Sequence, residues 1–131
     1  MLKVLVVDDD RIIRTALVAT LENSCYVDEA PTGQTALEII YEDCPKVILL
    51  DVNLPDMSGY DILDTIRNDR RFDGIKVALV SANGGLDNIR EGCEVHKADR
   101  YFTKPVHIPD IIRWVHKQLA EASVKNLVSA P

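Results

Sequence analysis

Two aliphatic runs in this chain stop abruptly on a carboxylate: Val4-Leu5-Val6-Val7 ends on Asp8, and Val47-Ile48-Leu49-Leu50 ends on Asp51. An uninterrupted apolar run suits a strand buried on both faces, which is the habit of parallel sheets covered by helices. A charged side chain cannot continue such a strand inside a core, so each run ends where the chain leaves the sheet. A third run, residues 75–80, stops at Ser81, and a short one, residues 101–103, stops at Lys104-Pro105. Residues 25–29 read as a weaker strand.

Between these runs the apolar spacing changes to that of helices. Ile12, Ile13, Ala16, Leu17 and Leu21 form one stripe, Ala36, Leu37 and Ile40 a second, and Ile62, Leu63 and Ile66 a third. A poorly patterned helix follows Gly84-Gly85, and Ile108, Ile111, Ile112, Val115 and Leu119 line the last. Strand–helix alternation repeated five times predicts an α/β fold: one doubly wound, five-stranded parallel sheet with right-handed crossovers. The flavodoxin-like order 2-1-3-4-5 follows, with the ligand crevice outside the carboxyl ends of strands 1 and 3. Residues 1–122 are read as the domain and residues 123–131 as a C-terminal tail or the start of a linker.

At 131 residues and 47% hydrophobic content the chain has the size and core of one domain. Its net charge of −6 opposes the phosphate contacts that non-specific nucleic-acid binding needs. The first apolar run is too short for a signal sequence or a membrane span, so a soluble cytoplasmic protein is expected. Cys25, Cys44 and Cys93 have no Cys-x-x-Cys pairing and are read as reduced packing residues. No Walker-type glycine–lysine sequence is present.

The polar residues that interrupt the strands all fall at carboxyl ends: Asp8, Asp9, Asp51, Ser81 and Lys104. Carboxylates gathered there repel one another unless a hard cation relieves them. Magnesium, with manganese as its substitute, favours oxygen ligands and suits Asp8, Asp9 and Asp51 better than any nitrogen or sulfur metal. Lys104 adds a positive charge and Ser81 a hydroxyl donor, together able to hold phosphoryl oxygens. An aspartate at the centre can serve as nucleophile. Asp8 to Asp10 also suit capping of the first helix, and capping and metal holding both stay open.

These features resemble the receiver domain of bacterial two-component response regulators, the CheY-like family. The resemblance rests on Val-Leu-Val-Val-Asp8-Asp9-Asp10, Ala30-x-x-Gly33-x-x-Ala36-Leu37, Leu-Leu-Asp51-Val-Asn53-Leu54-Pro55-x-Met57-x-Gly59, Ser81-Ala82 and Tyr101-Phe102-Thr103-Lys104-Pro105. It implies that Asp51 takes a phosphoryl group from a phosphohistidine on a sensor kinase or phosphotransfer protein. It implies that Asp8, Asp9, Asp51 and the backbone carbonyl of Asn53 hold the metal, that Lys104 pairs with the phosphoryl group, and that the Lys104–Pro105 peptide is cis. Ser81 and Tyr101 would form the switch, altering the face of the fourth helix, fifth strand and fifth helix toward a partner, an output domain or a second copy of the chain. The protein would promote its own phosphorylation and dephosphorylation without turning over a separate substrate.

Two departures stand out. Ser81 replaces the more frequent threonine, and residues 95–100 lack the glycine that typically ends the fourth helix, so Gly92 is read as an early stop. Trp114 either anchors a partner or covers the core edge. His96, His107 and His116 are expected at the surface, as is the Arg67, Arg70, Arg71 cluster. The rival enzyme reading is a haloacid-dehalogenase-like phosphatase with Asp8 as nucleophile and Asp10 completing Asp-x-Asp. It leaves Asp51 without a role. A non-phosphorylated interaction module is the other alternative, and the intact acidic and basic set argues against it.

Overall fold

The computed structural model describes the backbone of residues 2–129 and the side chains of residues 2–125. Its elements alternate as β1 (Lys3–Val7), α1 (Arg11–Leu21), β2 (Tyr26–Ala30), α2 (Gly33–Asp43), β3 (Val47–Asp51), α3 (Gly59–Arg67), β4 (Lys76–Ser81), α4 (Leu86–Arg90), β5 (Arg100–Thr103) and α5 (Ile108–Ser129). The five strands are parallel and lie in the order β2-β1-β3-β4-β5, the expected flavodoxin-like arrangement.

The uninterrupted apolar runs have a direct cause: the sheet is covered on both faces. Leu5, Val7, Ile48 and Leu50 point into a core shared with Ala36 and Ile40 of α2 and Ile62, Leu63 and Ile66 of α3. Their neighbours Val4, Val6, Val47 and Leu49 point into the opposite core, with Leu17 and Leu21 of α1 and Ile111, Val115 and Leu119 of α5. The period-2 alternation of strand side chains divides each run between the two cores. Trp114 packs at the rim of the second core with its ring edge-on to Phe102, centroids 6.3 Å apart. Edge strand β2 needs only one buried face, so it carries Asp28 and Glu29, which pair with Lys3 and Arg14.

Helix α5 runs on to Ser129, into the segment read as a tail or the start of a linker, while Ala130 and Pro131 lie outside the described residues. Some surface expectations are corrected. Cys44 is exposed, in contrast to buried Cys25 and half-buried Cys93. Arg67 is no solvated helix end: its guanidinium donates to the carbonyls of Lys97 and Ile75 and to Asp99, each at 2.9 Å. Asp99 in turn accepts from the Val77 amide, so this arginine ties the end of α3 to the approaches of β4 and β5.

Gly92 does not end the fourth helix. The chain passes from α4 into a π-helical turn, Glu91–Val95, with the His96 amide donating to the Glu91 carbonyl. The reversal comes at Lys97, which takes a left-handed φ of 64° in place of the missing glycine. His96 is clamped rather than free. Nδ1 lies 2.7 Å from Asp64, Nε2 lies 3.2 Å from Glu91, and the ring stacks on Tyr60 at 4.2 Å. Only the imidazolium donates from both nitrogens. Burial pulls the His96 pKa down, and the bonds to Asp64 and Glu91 outweigh it, leaving the value raised.

Two stability measurements follow from this turn. Lys97→Gly raises the unfolding free energy in urea titrations by roughly 0.5–1 kcal/mol, the left-handed penalty less the extra chain entropy of glycine. Because the folded His96 pKa is raised, its clamp contributes fully below the unfolded value of about 6.5 and is lost as pH rises through the higher folded value. The stability gap between wild type and His96→Gln is therefore largest near pH 6 and closes on the alkaline side; a gap that widens with pH excludes the charged clamp.

Candidate functional site

Strand order brings the ends of β1, β3 and β4 side by side, and the turn after β5 closes the row. Asp8 follows β1, Asp51 is the last residue of β3, and Ser81 is the last of β4. All three are almost wholly buried, at 2%, 4% and 0% exposure, whereas Asp9 is open to solvent. Lys104 reaches across the row, its Nζ 2.8 Å from Asp51 Oδ2 and 3.1 Å from Asp8 Oδ2. Its backbone amide donates to the Ser81 carbonyl at 2.8 Å, and its peptide to Pro105 is cis.

The second oxygens are also engaged. Asp8 Oδ1 accepts from the Asp10 amide at 2.8 Å, and Asp51 Oδ1 from the Asn53 amide at 2.9 Å. Burial, chiefly, pushes the Asp8 carboxyl above its usual value, with the charge of Asp51 adding to it against the bonds from Asp10 and Lys104. Burial pulls the Lys104 ammonium down, but its bonds to Asp51 and Asp8 prevail and raise it. One cation thus faces two buried carboxylates, with a third acidic group at the mouth.

The four aspartates divide their work. Asp10 caps α1, accepting from the amides of Ile12 and Ile13 at 2.9 and 3.4 Å. Asp8, Asp9 and Asp51 instead offer one oxygen each within 4.8 Å of one another. An all-oxygen set of that span and charge fits a magnesium-sized ion, whose carboxylate shell is small and completed by water and phosphate oxygens.

Around the row, Ser81 Oγ accepts from the Asn83 amide at 3.1 Å. Tyr101 lies alongside: its hydroxyl donates to the Asn83 carbonyl at 2.5 Å, and its ring packs where a side chain at Gly92 would sit. Below Asp51, Gly59 opens α3 so close to the strand that a Cβ there would overlap the Asp51 carbonyl and come within 2.9 Å of Val52 Cα. Arg14 supports the site from α1 by donating to the Asp8 carbonyl at 2.8 Å while pairing with Glu29. Its place on the polar side of α1 distinguishes it from no other surface arginine, so nothing in the sequence pointed to it.

Comparison with known proteins places this geometry in context. The Response regulator receiver domain family matches residues 4–116. Sporulation initiation phosphotransferase F of Bacillus subtilis is 35% identical over 118 residues, covering 89% of this chain and 93% of that protein. The phosphate regulon transcriptional regulatory protein PhoB of Pseudomonas aeruginosa is 37% identical over 103 residues, or 78% of this chain, which spans only 44% of PhoB. Among solved structures, the BeF3-activated receiver domain of DrrB from Thermotoga maritima superposes with a TM-score of 0.82 at 32% identity, covering 92% of this chain and 98% of that one. Among the described residues no helix is long and apolar enough to cross a membrane.

An ion that binds the folded carboxylates and not the unfolded chain would stabilise the protein by mass action. Magnesium at ten times its dissociation constant raises the unfolding free energy by about 1.4 kcal/mol. Asp8→Asn loses most of that gain in the same urea titration, and an unchanged wild-type curve counts against the metal site.

Proposed function

The chain belongs to the response regulator receiver domain family, and we propose that it accepts a phosphoryl group on Asp51 from a phosphohistidine of a sensor kinase or histidine phosphotransfer protein. The observation that carries this reading is a buried Asp51 held by Lys104 beside two further carboxylates. An Asp51 carboxylate oxygen attacks the phosphorus; the new O–P bond forms as the P–N bond breaks, and the departing imidazole nitrogen keeps the electron pair and takes up a proton.

Asp8 and Asp9, with Asp51 and the backbone carbonyl of Asn53, would hold the metal. Magnesium, or manganese, when bound supplies positive charge between the acidic cluster and the incoming phosphoryl oxygens. Lys104 stabilises the same oxygens from its position against Asp51. Ser81 Oγ only accepts from the Asn83 amide, so its hydroxyl proton is available, and the side chain turns to donate it to the phosphoryl group. Tyr101 then leaves the Asn83 carbonyl and turns inward, and the face of α4, β5 and α5 changes toward a downstream protein, an output domain or a second copy of the chain.

The receiver unit is residues 1–122, with residues 123–131 a C-terminal tail or the start of a linker, working in the cytoplasm without direct contact to nucleic acid or membrane. It promotes its own phosphorylation and hydrolysis and turns over no other substrate. The rival phosphatase needs Asp10 as a second acid, and that carboxylate is engaged in capping α1.

Incubation with magnesium and phosphoramidate, followed by intact-mass measurement, tests this. Wild type gains one phosphoryl group; Asp51→Asn gains none; Asp10→Asn, which keeps a good capping residue, still reacts. Labelling of Asp8 with turnover of added phosphate esters would favour the phosphatase.

A further inference from the structure

The loop between β3 and α3 carries a contact that the proposed chemistry does not use. Asp56 is exposed at its tip, yet both carboxylate oxygens are committed: Oδ1 accepts from the Gly33 amide at 2.8 Å and Oδ2 from the Gln34 amide at 2.9 Å. Those donors hold the Asp56 carboxyl below the usual carboxylate range. They are the free amides of the first turn of α2, more than twenty positions back in the chain. Beside this bond Met57 lies against Gly33, where any side chain would collide with its thioether.

The α2 helix does not depend on the contact, because Thr32 already caps it by accepting from the Thr35 amide at 3.2 Å. The loop depends on it more. Its base is closed by an antiparallel bridge between Asn53 and Ser58 and by the Gly59 amide on the Val52 carbonyl at 2.7 Å. Its tip is held by Asp56 and by the Met57 contact. Asn53 belongs to the base, bridged to Ser58 and with its own amide on Asp51 Oδ1, and the tip at Asp56 lies three residues on.

We propose that Asp56 is a positioning residue for the metal: by fastening the β3–α3 loop to the first turn of α2, it fixes the Asn53 backbone that serves as a ligand beside Asp51. This rests on the receiver reading above. Asp56 touches neither metal nor phosphoryl group; its removal loosens one ligand and leaves the nucleophile, Lys104 and the Thr32 cap of α2 in place.

Binding of manganese, followed by the paramagnetic resonance signal of the free ion, tests this together with phosphorylation by phosphoramidate across a magnesium series. Relative to wild type, Asp56→Ala raises the manganese dissociation constant about tenfold, the scale of losses seen for groups that orient metal ligands. Asp56→Asn, which keeps one acceptor oxygen, falls between. The magnesium concentration for half-maximal phosphorylation moves in step, while the rate at saturating magnesium stays at the wild-type level. A dissociation constant within twofold of wild type in Asp56→Ala overturns the proposal, as does a rate that stays depressed at saturating magnesium. Wild type that binds no manganese overturns the receiver reading and this inference with it, an outcome distinct from a change confined to the Asp56 variants.

Discussion

The ammonium of Lys104 between Asp51 and Asp8 is the contact around which the carboxyl edge of the sheet is organised. Leaving either carboxylate buried and unpaired would cost roughly 3–5 kcal/mol, so the turn after β5 has to return to the ends of β1 and β3. The backbone enforces the same return, since the Lys104 amide bonds the last residue of β4. Four strand ends are thereby drawn onto one small polar row above two apolar cores. Stability and chemistry share the same ion pairs, and any group that competes for Lys104 acts on both.

Much of this was legible in the sequence because it follows from local rules. β1 and β3 are buried on both faces, which forces unbroken aliphatic runs, and a charge at the end of such a run marks the edge of the sheet. Sheet order and the placement of Asp8, Asp51, Ser81 and Lys104 at carboxyl ends come from that logic. Contacts between side chains distant in sequence obey no such period. Asp64 and His96 stand 32 positions apart, and Asp56 and Gly33 stand 23 apart, on segments whose polar residues look like any solvated surface. The end of the fourth helix departs from the sequence expectation for a related reason. Lys97 pays the left-handed penalty there, held by the Arg67 bond to its carbonyl, so the usual glycine signal is absent.

The helices differ sharply in how they are attached. α3 is fixed by three wholly buried aliphatic side chains, Ile62, Leu63 and Ile66. α4 contributes no buried residue, and its π-helical extension is retained by the His96 clamp, by Gly92 lying on Leu79 and Tyr101, and by half-buried Cys93. An element held by a few polar contacts and a narrow apolar contact opens at lower free energy than one embedded in a core. A rearrangement of the α4 side can therefore leave the sheet and its carboxylates unmoved.

Gly59 imposes a limit of another kind. Helix α3 begins so close to the Asp51 carbonyl that the space for a single carbon atom is missing. Every base change in a glycine codon that alters the amino acid introduces that atom, so no stepwise route through neighbouring codons leads away from this position. The spacing between β3 and the third helix is therefore set by backbone against backbone, where no side-chain rearrangement can make room.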